Sequence, residues 1–279
     1  MTRRGLVLGG GGVAGIAWQT GLLAGLLEGG VVALDADVIV GTSAGSTVAA
    51  QITSGTSLGE LFDRQADPAL QTPELSPVLG AEDLMTLFID AHDGATDALD
   101  VRRRIGAMAL AAPTVTEAER RAVIAARLPS HDWPRSELKI VAVDAETGAE
   151  RVFGPASGVG LVDAVAASCA VPGAWPPVTI DGRRYIDGGT RTAENADLAA
   201  GCDRILVLQV MVIPGNTDLD DQVAGLREQG AQVMVIRPDD AAASSIGPDL
   251  LDPTVRAPAA RAGYDQGLRA SSATAEFWR

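Results

Sequence analysis

The chain opens with one arrangement used twice. "GLVL" leads through four glycines into "VAGIAWQTGLLAGLL", and "DVIV" leads through "GTSAG" into "STVAAQI". A short unbroken apolar run is a strand buried on both faces. The stretches that follow carry apolar residues at helical spacing. Strand, helix, strand, helix in so little chain predicts parallel strands joined by crossover helices. The expected fold is therefore α/β, with a mostly parallel sheet and helices on its faces. One strand-to-helix turn would then be made of glycines and the other of Gly-x-Ser-x-Gly.

The rest of the chain extends this pattern. Residues 56–135 contain no convincing strand. "LGELFDRQ", "AEDLMTLFIDA", "DVRRRIGAMALAA" and "TEAERRAVIAARL" read as helices, the last with a Thr-x-x-Glu start that suits a capping box. Strands return at "LKIVAV" and "ERVFG". "PVTIDGRRYID" reads as a hairpin about Asp181-Gly182. "RILVLQVMV" and "QVMVIRP" are the last two strands. A Pro/Asp/Ser-rich loop at 238–253 leads to a C-terminal helix at about 257–275. With 47% apolar residues in 279, the expected organisation is one domain, 1–279, with a helical insertion at about 56–135.

Charge narrows the choice of partner. Thirty-six acidic residues against 22 basic ones give a net charge of -14. Nucleic acid needs a basic surface and is not expected as a partner. The two cysteines, Cys169 and Cys202, are too few and too far apart for a disulfide framework or a zinc site. They fit buried thiols in a reducing, cytoplasmic compartment. The N-terminus looks like a twin-arginine secretory signal, but four glycines interrupt its apolar stretch. No run is long enough to predict a transmembrane helix.

The Gly-x-Ser-x-Gly pattern occurs at Ser43 and again at Ser57. A nucleophile elbow requires the serine on a sharp turn between strand and helix. Ser43 follows "DVIV" and precedes a helix, and Gly41, Ala44 and Gly45 permit a tight backbone. Ser57 follows a helix and reads as an N-cap, with Gly55 ending the preceding helix. A base must then be found. The two histidines, His92 and His131, fall within or just after the helical insertion and read as exposed loop residues. A Ser-His-Asp order with a late histidine is absent. Asp187, in "YIDGGT", ends a strand before Gly188 and Gly189, and a carboxylate there is a candidate base. Taken alone, Asp-Gly is also a frequent turn.

The glycine run allows two readings. Gly10-Gly11-Gly12-Val13-Ala14-Gly15 has the form of a dinucleotide fingerprint, Gly-x-Gly-x-x-Gly. That fingerprint also needs an acid at the far end of the second strand, whereas Asp35 and Asp37 precede it. In the second reading, backbone N–H groups of Gly10, Gly11 and Gly12 at a helix N-terminus, those of Gly11 and Gly12 foremost, form an oxyanion hole. The second reading uses both turns at once and is preferred.

Together these blocks resemble the patatin-like phospholipases. "GGGGVAG" resembles the family's glycine-rich oxyanion loop, "GTSAGS" its nucleophile elbow and "YIDGGT" its Asp-Gly-Gly block. "AASCAVPGAWPPVTIDGRRYIDGG" and "ENADLAAGCDRILVL" are also similar, so the resemblance spans roughly residues 5–210. It implies a three-layer α/β/α fold and a Ser43/Asp187 dyad. It implies hydrolysis of acyl esters of phospholipids, lysophospholipids or neutral lipids, with no metal or organic cofactor. It also implies a lipid or ester substrate met transiently at a membrane or micelle surface. The family's basic residue in the glycine loop is Ala14 here, which removes a positive charge beside the expected hole. "DLMTLF" and "IGAMALAA" are candidates for an acyl pocket or lid, or for plain helix core. Two competing readings stand beside the hydrolase: a non-catalytic lipid- or ligand-binding relative, and a nucleotide-dependent α/β enzyme.

Overall fold

The structure is a computed structural model and describes residues 2–213 and 215–279. β1 (Arg4–Leu8) feeds α1 (Gly12–Glu28), and β2 (Val38–Thr42) feeds α2 (Ala44–Ile52). Between α2 and β3 (Glu137–Asp144) lie α3 (Leu58–Ala66), α4 (Ala81–His92), α5 (Ala98–Ala111) and α6 (Glu117–Arg127). β4 (Glu150–Phe153), α7 (Leu161–Ser168), β5 (Val178–Ile180), β6 (Arg183–Asp187) and β7 (Arg204–Leu208) follow. α8 (Asp218–Glu228), β8 (Gln232–Ile236), α9 (Asp240–Ile246) and α10 (Arg256–Trp278) complete the chain.

The eight strands among the described residues form one sheet. β8, β7, β1, β2 and β3 run parallel in that order, and β4, β5 and β6 add antiparallel pairings. Alternate side chains face opposite layers, as strand geometry requires. Leu6, Leu8, Ile39, Ile140 and Leu206 pack against α1, α2, α7 and α10. Val7, Val40, Val141, Ile205 and Val207 face the other way, towards α8 and the 3₁₀ turn at 196–199. Val143 and Ile186 extend that second face against Ala91 of α4 and Ile105 and Ala109 of α5. The result is the mixed α/β architecture expected from the alternation, with helices on both sides of a mostly parallel sheet.

Two other features set the frame. α1 is buried along nearly its whole length and crosses α10 through glycines on both helices. A Cβ at Gly21, Gly25, Gly263 or Gly267 would lie 2.0–2.4 Å from the opposing backbone carbonyl. The two helices therefore meet backbone to backbone. At the hairpin, Asp181 and Gly182 take φ of 50° and 75°, the mirror-image turn that joins tight antiparallel strands. The loop expected at 238–253 contains a seven-residue helix, α9, capped by the Asp239 carboxylate on the Ala242 N–H. Its "DAAASSI" is too short and too weakly apolar to show periodicity.

Candidate active site

Strand register brings two chain ends together. Along β3, Glu137 to Val141 pair with Val38 to Thr42 of β2, and Ala142 to Asp144 pair with Asp187 to Tyr185 of β6. β4 pairs with Ile140 to Val143 and so occupies the other edge of β3. A strand has only two edges, so β2 and β6 share one. They run in opposite directions, and their C-terminal ends meet where Val141 gives way to Ala142. Ser43 leaves one end and Asp187 stands at the other.

Ser43 is one of three non-glycine residues with positive φ among the described residues, at φ 52° and ψ -118°. Such a conformation costs on the order of 1–3 kcal/mol and persists only where its surroundings enforce it. The enforcing contacts are visible. The Ser43 N–H donates to Ser168 Oγ at 2.9 Å. Its carbonyl accepts from Ser46 Oγ at 2.7 Å and Cys169 Sγ at 3.1 Å. Gly45 lets α2 approach the sheet, since a Cβ there would fall 1.9 Å from the Leu8 carbonyl oxygen. Its N–H bonds Gly9 O at 3.1 Å, tying the elbow to the glycine loop. Gly188 likewise faces Val141 O at 2.3 Å from where its Cβ would be.

Asp187 is 5% exposed and Ser43 7%. The Asp187 N–H is anchored on Ala170 O, and Oδ1 accepts from the Gly189 N–H at 2.7 Å. The Ser43 hydroxyl acts on the same carboxyl, but loosely, because Oδ2 keeps no partner in full hydrogen-bond geometry. Burial pushes the Asp187 pKa up to about 7, against the opposing pull of Ser43 and the Gly189 N–H. A carboxylate poised near neutrality, beside a hydroxyl, suits a general base.

The glycine loop lies next to this pair. Gly11 and Gly12 take φ of 157° and 58°, and a Cβ on Gly12 would meet Leu250 O at 2.3 Å. Gly10 differs from its neighbours: its N–H already donates to Ala193 O at 2.8 Å. Among the described residues, the N–H groups of Gly11 and Gly12 donate to no acceptor. With the Val13 N–H, which also lacks an acceptor among the described residues, they are the free donors at the α1 N-terminus. Gly15 lies where its Cβ would just touch Ala44 Cβ, at 3.4 Å. Ala14 is fully buried and its N–H bonds Leu250 O, so its side chain points into core. The dinucleotide reading loses its acid. Asp37 Oδ2 accepts from the Arg4 N–H, and Asp35 pairs with the Arg4 guanidinium, both at the opposite end of the strands.

Ser57 caps α3, its hydroxyl accepting from the Glu60 N–H at 3.2 Å, and is exposed. His92, the last residue of α4, and His131, beyond the end of α6, are also exposed, each bonded to a backbone carbonyl of that helix, Phe88 O and Ala125 O. None of the three lines the cavity at Ser43. That cavity has a volume of only ≈ 20 Å³, and Trp175, Leu251 and Glu74 are among the side chains that close it. Leu84, Leu87 and Met108 of the expected lid or acyl pocket pack over Gly173, in the segment that leads to Trp175. The side chain of Met85, in the same stretch, lies outside those described. Cys169 and Cys202 are both free and buried. No group of residues that could hold a metal ion occurs among the described residues. No helix there is long and apolar enough to cross a membrane.

Sequence reasoning missed two features. Ser168 and Cys169, which fix the elbow backbone, lie in a run read only as similar in kind. Arg120 and Arg127 of α6 were hidden in a helix, although with Ile124 they form its buried face. Charged residues at the positions of an apolar stripe were the available signal.

No curated protein matches the chain. Among solved structures, VipD from Legionella pneumophila resembles it at 14% identity and a TM-score of 0.47, over 98% of this chain and 67% of that one. The type III effector protein ExoU gives 18% identity and 0.41, over 97% and 54%. ExoU from Pseudomonas aeruginosa in complex with SpcU gives 20% and 0.38, over 97% and 53%. The chain thus spans about half the length of the ExoU chains. The patatin-like phospholipase family model matches residues 6–200, from β1 past the Asp-Gly-Gly block. The chain belongs to the patatin-like phospholipase family.

Proposed function

We propose that the protein is a serine-dependent lipid acyl hydrolase that uses a Ser43/Asp187 dyad and an oxyanion hole made by Gly11 and Gly12. The observation that carries this reading is the meeting of the β2 and β6 C-terminal ends along one edge of β3. It sets a strained serine beside a buried carboxylate of raised pKa.

Ser43 Oγ attacks the ester carbonyl carbon while Asp187 accepts its proton. The carbonyl oxygen gains the negative charge, and the Gly11 and Gly12 N–H groups stabilise it at the positive end of α1. Collapse of the tetrahedral intermediate breaks the bond to the leaving alcohol, which takes the proton back from Asp187. Water then attacks the acyl-serine, gives a proton to Asp187, and releases the carboxylic acid as that proton returns to Ser43. No histidine takes part in any step. The closed cavity requires Trp175, Leu251 or the Glu74 segment to move before an acyl chain enters. Helices α4 and α5, next to Gly173, are the proposed acyl-pocket wall, and the whole chain is proposed to act as one domain.

The substrate is proposed to be a lipid or other carboxylic ester met at a membrane or micelle surface. The test is labelling with a fluorophosphonate, peptide mapping of the adduct, and hydrolysis of an ester panel. A label on Ser43 with ester turnover is the expected result; a label on Ser57, or none, overturns the assignment.

A further inference from the structure

Ala14 leaves the glycine loop without a charge, yet the cavity at Ser43 is not short of cations. Arg120 and Arg127 line it, and Arg256, from the start of α10, joins them behind it. Their side chains are 6%, 6% and 7% exposed. A single carboxylate, Glu74, stands among the three. Its Oε1 accepts from Arg120 at 2.6 Å, Arg256 lies 3.5 Å from Oε2, and Arg127 also contacts Oε2. Arg120 is further stacked on Trp175, 3.8 Å from the ring centroid.

The balance is unusual. Three guanidinium groups against one carboxylate leave two buried positive charges without a paired counter-charge among the described residues. Buried charge is costly unless paired, and a network built only for stability would be expected to be neutral. Arg120 Nε and Arg127 Nε have no acceptor among the described residues. Burial holds all three guanidinium pKa values below their usual range, and neighbouring arginines add to this for Arg127 and Arg256. The cluster is thus arranged to take more negative charge than it holds.

The two signs are also mounted differently. The arginines sit on helices α6 and α10. Glu74 sits in the irregular segment between 71 and 80. Voids of ≈ 20 Å³ flank the cluster, one shared with Ser43 and the other lined by Arg127, Arg256 and Thr72. We propose that Arg120, Arg127 and Arg256 form a phosphate-binding subsite beside Ser43, occupied in this structure by the Glu74 carboxylate, which a phosphate group on the substrate displaces. The proposal rests on Ser43 as the nucleophile and, among the ester classes considered, assigns the residues that would hold a phosphate near the scissile carbonyl and the carboxylate that would yield to it. Planar guanidinium groups match phosphate oxygens in paired, charge-assisted hydrogen bonds. A phosphate of charge near -2 would neutralise what Glu74, at -1, does not. Displacing Glu74 also removes one wall of the cavity, so the phosphate and the opening arrive together.

The test compares a monoacylglycerol phosphate with the monoacylglycerol of the same acyl chain, below their aggregation concentrations, on wild type and Glu74→Gln. Glu74→Gln keeps the side-chain shape and removes the competing charge. The ratio of kcat/KM, phosphate-bearing over neutral, is expected to rise about tenfold in the variant. By calorimetry, inorganic phosphate is expected to bind the variant about tenfold more tightly than wild type. It is also expected to compete with the phosphate-bearing ester. An unchanged or lower ratio overturns the proposal, as does phosphate binding that leaves hydrolysis of that ester uncompetitive. If Glu74→Gln does not fold, wild type decides: phosphate must inhibit the phosphate-bearing ester more than chloride does at equal ionic strength. Failure of all labelling and hydrolysis would instead sink the nucleophile assignment, and calorimetry alone would then decide the subsite.

Discussion

Ser43 and Ser57 share the same five-residue spelling, and the structure treats them oppositely. Ser43 is buried, strained in φ, and held by contacts from α7 and α2. Ser57 is exposed, relaxed at φ -65°, and bonded only within its own first helical turn. The flanking glycines differ in the same way. A Cβ at Gly41 or Gly45 would fall 2.7 or 1.9 Å from backbone atoms. A Cβ at Gly55 or Gly59 would meet nothing within 4 Å. The motif therefore has chemical meaning only where a sheet stands behind it. The glycines are needed for the close approach of helix to strand, and not for the serine itself.

The largest expected effect tests the first half of this contrast. Ser43→Ala should abolish fluorophosphonate labelling and cut ester turnover by about 10⁴-fold or more. Turnover within tenfold of wild type would mean that another nucleophile acts.

Asp187→Asn comes next. It keeps the acceptor for the Gly189 N–H but cannot take a proton, so turnover should fall at least about 100-fold. His92→Ala and His131→Ala should change it little. In wild type, kcat/KM should fall as pH drops through about 7, where Asp187 becomes protonated. Stability carries the opposite sign. A carboxyl whose folded pKa is raised loses stability as pH rises from its unfolded pKa to about 7. Asp187→Asn should therefore have the higher Tm at pH 8, with the gap closing towards pH 4. A gap of the same size at both values would remove burial of charge as its cause.

The glycines sharpen the comparison through stability. Gly45→Ala must move α2 off β1 and should cost about 3 kcal/mol in denaturant unfolding. Gly59→Ala, inside α3 with open space, should stabilise by about 0.5–1 kcal/mol. Equal costs would show that the α2 contact can relax. The smallest effect is that of Ser57→Ala. It should cost about 1 kcal/mol through the lost cap and leave turnover within about twofold of wild type.

Much of this was legible in the sequence because it was local. The strand runs, the Ser43 elbow, the Thr116 capping box and the Asp181-Gly182 hairpin each announce themselves within ten residues. Asp187 was found because its two glycines mark a chain turning at a strand end. The arrangement of β2 and β6 on one edge of β3 was not legible. It depends on β4 occupying the other edge, and register between distant strands leaves no trace in either one. The sequence already favoured Gly11 and Gly12 over Gly10 as donors, but the reason, the Ala193 carbonyl that engages the Gly10 N–H, was hidden for the same cause. The arginine cluster was invisible as a cluster because Glu74, Arg120, Arg127 and Arg256 come from three separate segments.

The glycine crossing of α1 and α10 has a mechanical consequence. With backbone against backbone, no compressible side chains lie between the two helices at Gly21, Gly25, Gly263 and Gly267. α1 is held like a rod in a vice, and the tip of that rod, which also rests on Leu250, carries the Gly11 and Gly12 N–H groups. At a rise of 1.5 Å per residue, Gly21 lies about 14 Å behind the tip. A stiff rod passes axial displacement from one end to the other almost undiminished. Catalytic alignment of this kind loses about 100-fold for an error of about 1 Å. The grip of α10 on α1 is thus a tolerance setting for the proposed oxyanion donors, made well behind the glycine loop.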